Sequence, residues 1–129
     1  MLSNSTLNEV GGVILDAAIT VHMELGPGLL ESVYHFAMMK ELEWREVSFK
    51  QKVMVPLFYK GVDTGKFFEV DTLVEDEIIL EYKAVESILP IHKAQLLTYL
   101  RLSNKRLGYL INFNEELLKN GFKRMVNGF

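Results

Sequence analysis

Asp71, Glu81 and Lys83 are the residues of this chain whose types and spacing could do chemistry. Asp71 falls near the end of one predicted strand, and Glu81 and Lys83 fall on the next, across a hairpin turned by Glu75-Asp76-Glu77. The two-residue period of a strand puts Glu81 and Lys83 on one face, about 6–7 Å apart, with Tyr82 on the other. In an in-register hairpin Asp71 and Glu81 become cross-strand neighbours, and carboxylates so placed repel unless a cation or a proton sits between them. Mg²⁺ answers that need, because it takes hard oxygen ligands, keeps several waters and is commonly held by one or two carboxylates plus substrate phosphate. An ammonium such as Lys83 could then hold the attacking water or offset charge growing on phosphorus oxygens. Acidic and basic residues are common on exposed hairpins, so a cross-strand salt bridge on a solvated face is the competing explanation. Against it, Ile78-Ile79-Leu80 lead into Glu81 and Ala84-Val85 follow Lys83, so both faces of the strand read as apolar and a charged pair there needs a partner.

The elements that must position these residues follow from hydrophobic periodicity. Thr6 and Glu9 have capping-box spacing, and Leu7, Val10, Ile14, Ala17, Val21 and Leu25 recur every three or four residues, which predicts a helix stopped by Gly26-Pro27-Gly28. Leu30, Val33, Tyr34, Ala37, Met38 and Leu42 predict a second helix. Alternation then predicts strands over 46–59, 66–74 and 78–84, a three-stranded meander. Pro90 opens a third helix carrying Ala94, Leu97 and Leu100, the run 107–113 reads as a buried strand, Asn114 could cap a short helical turn ended by Gly121, and 122–126 adds an edge strand. Helices packed around a mixed sheet in one domain, residues 1–129, are the expected α/β architecture.

Composition narrows the function. There is no Cys, hence no disulfide framework, thiol nucleophile or Cys-ligated zinc, which fits a reducing cytoplasm. The first residues lack a basic stretch followed by an apolar run, and no segment approaches about 20 apolar residues, so secretion and membrane spanning are disfavoured. A net charge of −3 argues against a generic basic DNA-coating protein. The charge is uneven: Arg101, Lys105, Arg106, Lys119, Lys123 and Arg124 face only Glu115 and Glu116 after residue 100. An acidic body with a basic end could hold a metal and face a polyanion, and a merely solvated basic surface is the alternative.

Gly28-Leu29-Leu30-Glu31-Ser32-Val33-Tyr34, together with Asp71, Glu81, Lys83, Gln95 and Tyr99, resembles the GxxExxY protein family, which is assigned to the PD-(D/E)xK nuclease superfamily. The resemblance runs from about Asn8 to Asn127 and includes 92–100 and the 110–113 strand, four separated motifs in order. It implies a restriction-endonuclease-like α/β core and a divalent-metal centre, Mg²⁺ or Mn²⁺, that cleaves phosphodiesters of nucleic acid, DNA before RNA. By the same resemblance Asp71 and Glu81 are inner metal ligands, Glu31 an outer ligand or water-orienting carboxylate, the Tyr82 carbonyl a further ligand and Lys83 the catalytic lysine. Gln95 and Tyr99, one turn apart, match the QxxxY element of RecB-type exonucleases, which supports the site and the strand. The chain departs from that pattern at Tyr82, where an aliphatic residue is usual, and at Glu69, where a basic residue is common. Tyr82 is tolerable if its hydroxyl finds a partner, whereas Glu69, on the face of Asp71 by parity, either joins the metal site or weakens phosphate binding.

Phosphate contact outside the metal centre is expected from Lys93, Arg101, Lys105, Arg106, Lys123 and Arg124. His92 opens a helix beside Lys93, where a positive dipole end and an ammonium could meet phosphate, with simple packing as the alternative. His22 reads as a packed or capping histidine before it reads as a catalyst. Tyr34 reads as core packing before it reads as a partner of Glu31, and Trp44 as a packing anchor. Apolar stretches near the C-terminus could pair two chains across a two-fold axis, which makes a homodimer the expected assembly. Against the nuclease stand a non-catalytic nucleic-acid-binding or protein-interaction module that keeps the fold, and a hydrolase of a smaller phosphodiester.

Overall fold

The computed structural model describes residues 1–129. Two helices, α1 (Asn4–Leu25) and α2 (Glu31–Trp44), precede three strands, β1 (Phe49–Tyr59), β2 (Val62–Val74) and β3 (Ile78–Lys83); then come α3 (Pro90–Ser103), β4 (Leu107–Asn112), a 3-10 turn (Leu118–Gly121) and β5 (Phe122–Val126). The strands form one five-stranded sheet in the order β1-β2-β3-β4-β5. Only the β3–β4 pair is parallel, and its crossover is α3. The α/β fold with a mixed sheet and flanking helices is the expected restriction-endonuclease-like core.

Helices cover both faces of the centre. Leu7, Ile14, Ala17, Val21, Tyr34, Met38 and Leu42 of α1 and α2 pack on Ile78, Leu80, Tyr82, Leu107, Tyr109 and Ile111. Leu96 and Leu100 of α3 pack on Ile79, Leu110, Val70 and Phe68. Burial of β3 from both sides follows from its near-continuous apolar run, the pattern of a strand sandwiched between layers.

Several local expectations are corrected. Ser3, not Thr6, caps α1: its side chain accepts the Thr6 N–H at 3.1 Å, so the helix begins one turn earlier than the Thr6–Glu9 spacing suggested. β2 begins at Val62 rather than at 66, because the hairpin closes tightly through Lys60 and Gly61, both at positive φ. The short helical turn starts at Leu118 instead of just after Asn114. Trp44 is no anchor, since it is 72% exposed at the end of α2. The run 107–113, read as a buried strand, is one: it lies inside the sheet with every residue buried.

One irregularity shapes the site. β1 and β2 keep a single register from Phe49↔Val74 to Pro56↔Phe67, but the position where Lys52 faces Asp71 is left unpaired. Lys52 sits there at φ 51 in the middle of its strand. On one side of this break Phe49 and Val74 belong to the core under α1 and α2, and on the other Val53, Val55, Val70 and Phe68 belong to the core under α3. The ribbon therefore turns over at Lys52 and Asp71, and strict period-2 parity across residue 71 no longer holds.

Candidate active site

Antiparallel pairing of β2 with β3 runs Val74↔Ile78, Leu73↔Ile79 and Thr72↔Leu80, and stops there. The register carried on by one step sets Asp71 opposite Glu81, as the sequence spacing required. At that step side chains replace the backbone ladder: the Asp71 N–H donates to Glu81 Oε2 at 3.2 Å, and the Tyr82 N–H donates to Asp71 Oδ2 at 2.9 Å. Each carboxylate thus satisfies a backbone donor on the other strand, which fixes both at the point where the strands diverge.

Glu81 is almost wholly buried, 8% exposed, while Asp71 is half-buried. Burial first, then the hydrogen bond to Asp71 and its negative charge, pushes the Glu81 carboxyl up to about 9, with Lys83 pulling the other way. Lys83, the last residue of β3, is half-buried and makes no ion pair within 4.0 Å. The proton that Glu81 keeps at neutral pH lets the two carboxyl groups lie side by side, and Lys83 acts on them only at a distance.

Glu31 reaches the same charges from the first residue of α2. Burial raises its carboxyl, the Asp71 charge raises it further and Lys83 lowers it. Its position depends on the turn before it, where Gly26 at φ 70 and Gly28 at φ 97 make a reversal that other residues resist. Tyr34 locks that turn: fully buried, it donates its hydroxyl to the Gly26 carbonyl at 2.6 Å and accepts the Leu29 N–H at 3.1 Å. Tyr34 accordingly holds the turn that places Glu31 and does not bond the Glu31 carboxylate. Tyr82 points to the opposite face, where its hydroxyl finds Thr72 Oγ1 at 3.0 Å, the partner its burial demanded.

From α3, Tyr99 stacks on Phe68 with ring centroids 4.3 Å apart. Burial and the charges of Glu81 and Asp71 all raise its hydroxyl, so it borders the carboxylates. Gln95, one turn earlier, is exposed, as is Lys93 at the end of α3 that follows Lys83. His92 Nδ1 accepts the Leu89 N–H at 3.0 Å and serves as part of the helix cap. His22 is likewise structural, its Nε2 2.6 Å from the Glu115 carbonyl.

The basic end is divided, with Lys123 of β5 in register with Leu110 and Glu81 and the other cations placed elsewhere. Lys105 and Arg106 precede β4 at the Ile78 end of β3, away from Glu81; Lys105 donates to the Asp76 carbonyl at 2.8 Å, and Arg106 binds the Leu2 carbonyl, Asn4 and Glu77. Arg124 bonds Asn8 of α1 and lies over the Phe129 ring, and Lys123 pairs with Leu110 on the same edge strand. Arg101 is exposed in the last turn of α3, at the end leading to β4.

His35 and Lys52, neither of them among the residues singled out in the sequence, join the site. His35 lies one turn after Glu31, and that i,i+4 spacing was the available signal. Its ring is 5.0 Å from that of Tyr82, and burial holds its imidazole below the ordinary value, with Lys52 acting in the same direction and Asp71 and Glu69 against it. Glu69, exposed, therefore stands near Asp71 and His35. Nothing in the sequence marks Lys52, whose placement depends on the break opposite Asp71.

No three His, Asp or Glu side chains converge into a metal cage. The Asp71–Glu81 pair alone suits Mg²⁺, which typically accepts one or two protein carboxylates and fills its remaining positions with water and phosphate. The largest cavity, about 510 Å³, lies elsewhere, between α1 and α2, lined by Val33, Phe36 and Trp44 among others. No helix is long and apolar enough to cross a membrane. Comparison with curated proteins gave no match, and comparison with solved structures gave none either. A family model described as the PD-(D/E)XK nuclease superfamily matches residues 8–125, almost the whole chain; membership suggests phosphodiester hydrolase activity, and PD-(D/E)XK nucleases typically use Mg²⁺. With that match over residues 8–125 and its five-stranded mixed sheet flanked by helices, this chain belongs to the PD-(D/E)XK nuclease superfamily.

Proposed function

We propose that the chain is a divalent-metal-dependent nuclease that hydrolyses phosphodiester bonds of nucleic acid, DNA in preference to RNA, and that within the superfamily it is of the GxxExxY type. The observation that carries this reading is the reciprocal bonding of Asp71 and Glu81, each accepting a backbone N–H of the other strand, with Glu31 and Lys83 close enough to act on their charges. Asp71 and Glu81 would hold Mg²⁺ or Mn²⁺, joined by the Tyr82 carbonyl and by Glu31 through water. Bound there, the ion supplies Lewis-acid polarisation of the phosphate and a more acidic water. Glu31 orients the attacking water on the open side of the pair. The Lys83 ammonium offsets negative charge as it grows on the non-bridging oxygens, a task suited to a half-buried cation with no competing ion pair. Gln95 and Tyr99 line the α3 side and steady the strand, and Lys93 and Arg101 are the exposed cations of that helix available to its phosphates.

A cleavage screen over single- and double-stranded DNA and RNA, with Mg²⁺ and with Mn²⁺, tests the reading. Metal-dependent products lost in Asp71→Asn support it. Nucleic-acid binding without cleavage in either metal favours the second reading, a non-catalytic binding module. The exposed Glu69 beside the site and the net charge of −3 are the features that speak for that module.

A further inference from the structure

Between α2 and β1, where Lys52 stands opposite Asp71 in the strand register, lies a cavity of about 170 Å³ lined by Ser32, His35, Phe36, Met39, Gln51 and Lys52. Sites for drug-sized ligands run to about 300–1,000 Å³, so this volume suits one small group and no base. Its polar lining offers a hydroxyl, an imidazole, a carboxamide and an ammonium. His35, which lines this cavity, has a buried Nε2 without a hydrogen-bond partner, uncommon for a buried polar atom.

Lys52 supplies the second observation. It is the one non-glycine residue at positive φ inside a strand; Glu46, Lys60, Glu75, Asp76 and Asn104 share that backbone but lie in turns or at a helix end. A left-handed position is filled most easily by Gly, Asn or Asp. A break that only turned the ribbon over would be served best by one of those. Lysine accepts the strained conformation there and delivers an ammonium to the cavity wall. Lys52 takes part in none of the four ion pairs of the chain, so its charge is not already spent within the protein.

We propose that this cavity is a phosphate subsite: Lys52, His35, Ser32 and Gln51 hold a phosphate of the bound nucleic-acid strand next to the one at Asp71 and Glu81. The proposal rests on the nuclease reading for the identity of the strand, while the anion site itself stands on the cavity, the strained lysine and the unpartnered imidazole nitrogen. Lys52 is here a substrate-positioning residue. Its effect belongs in affinity and KM, and kcat should change little.

Two measurements in EDTA, with the full chain, decide it. In the first, inorganic phosphate is titrated into the wild type, Lys52→Asn and Lys52→Arg while the His35 ring and Gln51 carboxamide resonances are followed by NMR. Asparagine tolerates the backbone and removes the charge; arginine keeps the charge. Both resonances should move in the wild type and in Lys52→Arg and stay still in Lys52→Asn. In the second, binding of a single-stranded oligothymidylate is measured against salt. Lys52→Asn should bind about threefold to tenfold more weakly, with a salt slope smaller by about 0.7, and Lys40→Gln should match the wild type. Phosphate that leaves His35 and Gln51 unmoved in the wild type, or an unchanged oligonucleotide affinity and slope in Lys52→Asn, overturns the subsite. In a separate cleavage assay with Mg²⁺ in place of EDTA, cleavage by Lys52→Asn at the wild-type KM overturns it while leaving the nuclease reading intact. Phosphate bound at His35 in a protein that cleaves no nucleic acid upholds the anion site and removes the nuclease reading.

Discussion

The hydroxyl of Tyr34 spans eight residues to reach the carbonyl of Gly26 at 2.6 Å. That bond closes the turn on which Glu31 is mounted, so a tyrosine stacked deep in the core on Phe113, with centroids 4.7 Å apart, governs a carboxylate at the site. Tyr34→Phe keeps the stack and leaves the Leu29 N–H and the Gly26 carbonyl without their partner. Stability should fall by about 1–3 kcal/mol, measured by urea denaturation. Tyr34→Phe as stable as the wild type would show that the turn holds itself.

Glu81 makes stability depend on pH with an unusual sign. Its carboxyl is raised in the folded protein, so the fold binds a proton that the unfolded chain has released, and its stabilising contribution is complete below about 4.5 and lost as pH rises through about 9. In EDTA, stability should fall across that window, with a limiting slope from this group of about 1.4 kcal/mol per pH unit. Glu81→Gln should flatten the fall and be more stable than the wild type at pH 8.5. Parallel pH profiles for the two proteins would refute the assignment.

Metal affinity should require both carboxylates. One carboxylate in water is a poor Mg²⁺ site, whereas two fixed side by side form one. Calorimetric titration with Mg²⁺ or Mn²⁺ should show binding in the wild type and a loss of tenfold or more, on the order of 1.4 kcal/mol, in both Asp71→Asn and Glu81→Gln. Asp71→Asn retains an acceptor for the Tyr82 N–H, so the hairpin should stay closed and the loss report on charge. Equal affinity in all three proteins rules out this pair as the ligands.

Arg106 separates surface charge from structure. Its guanidinium ties the chain start to β3 through the Leu2 carbonyl, Asn4 and Glu77. Arg106→Ala should lower stability by about 1–2 kcal/mol and leave nucleic-acid affinity nearly unchanged. Lys93→Ala should do the reverse, weakening binding and reducing the salt slope by about 0.9 on duplex DNA. Weakened binding with intact stability in Arg106→Ala would return the basic end to the interface.

Much of the architecture was legible in the sequence, because it is written in short-range periods. The apolar spacing of α1 and α2, the alternation along β1 and the double-sided apolar run of β3 each reflect how one element meets its neighbours. Asp71 and Glu81 were also legible, since a three-residue acidic turn fixes hairpin register and so sets the two carboxylates opposite each other. What the tertiary structure alone decided lies where the chain departs from those periods or where distant segments meet. The break at Lys52 reverses the faces of two strands, and no local pattern encodes a single left-handed residue inside a strand. His35 comes to the site because α2 packs against β3, which sets its ring 5.0 Å from that of Tyr82, a contact between segments far apart in the sequence. Charge counted along the sequence suggested a basic end facing the substrate, yet Arg106 and Arg124 bend back to α1 and its leading residues. Composition records how many charges a segment carries, and only packing decides which of them are already taken.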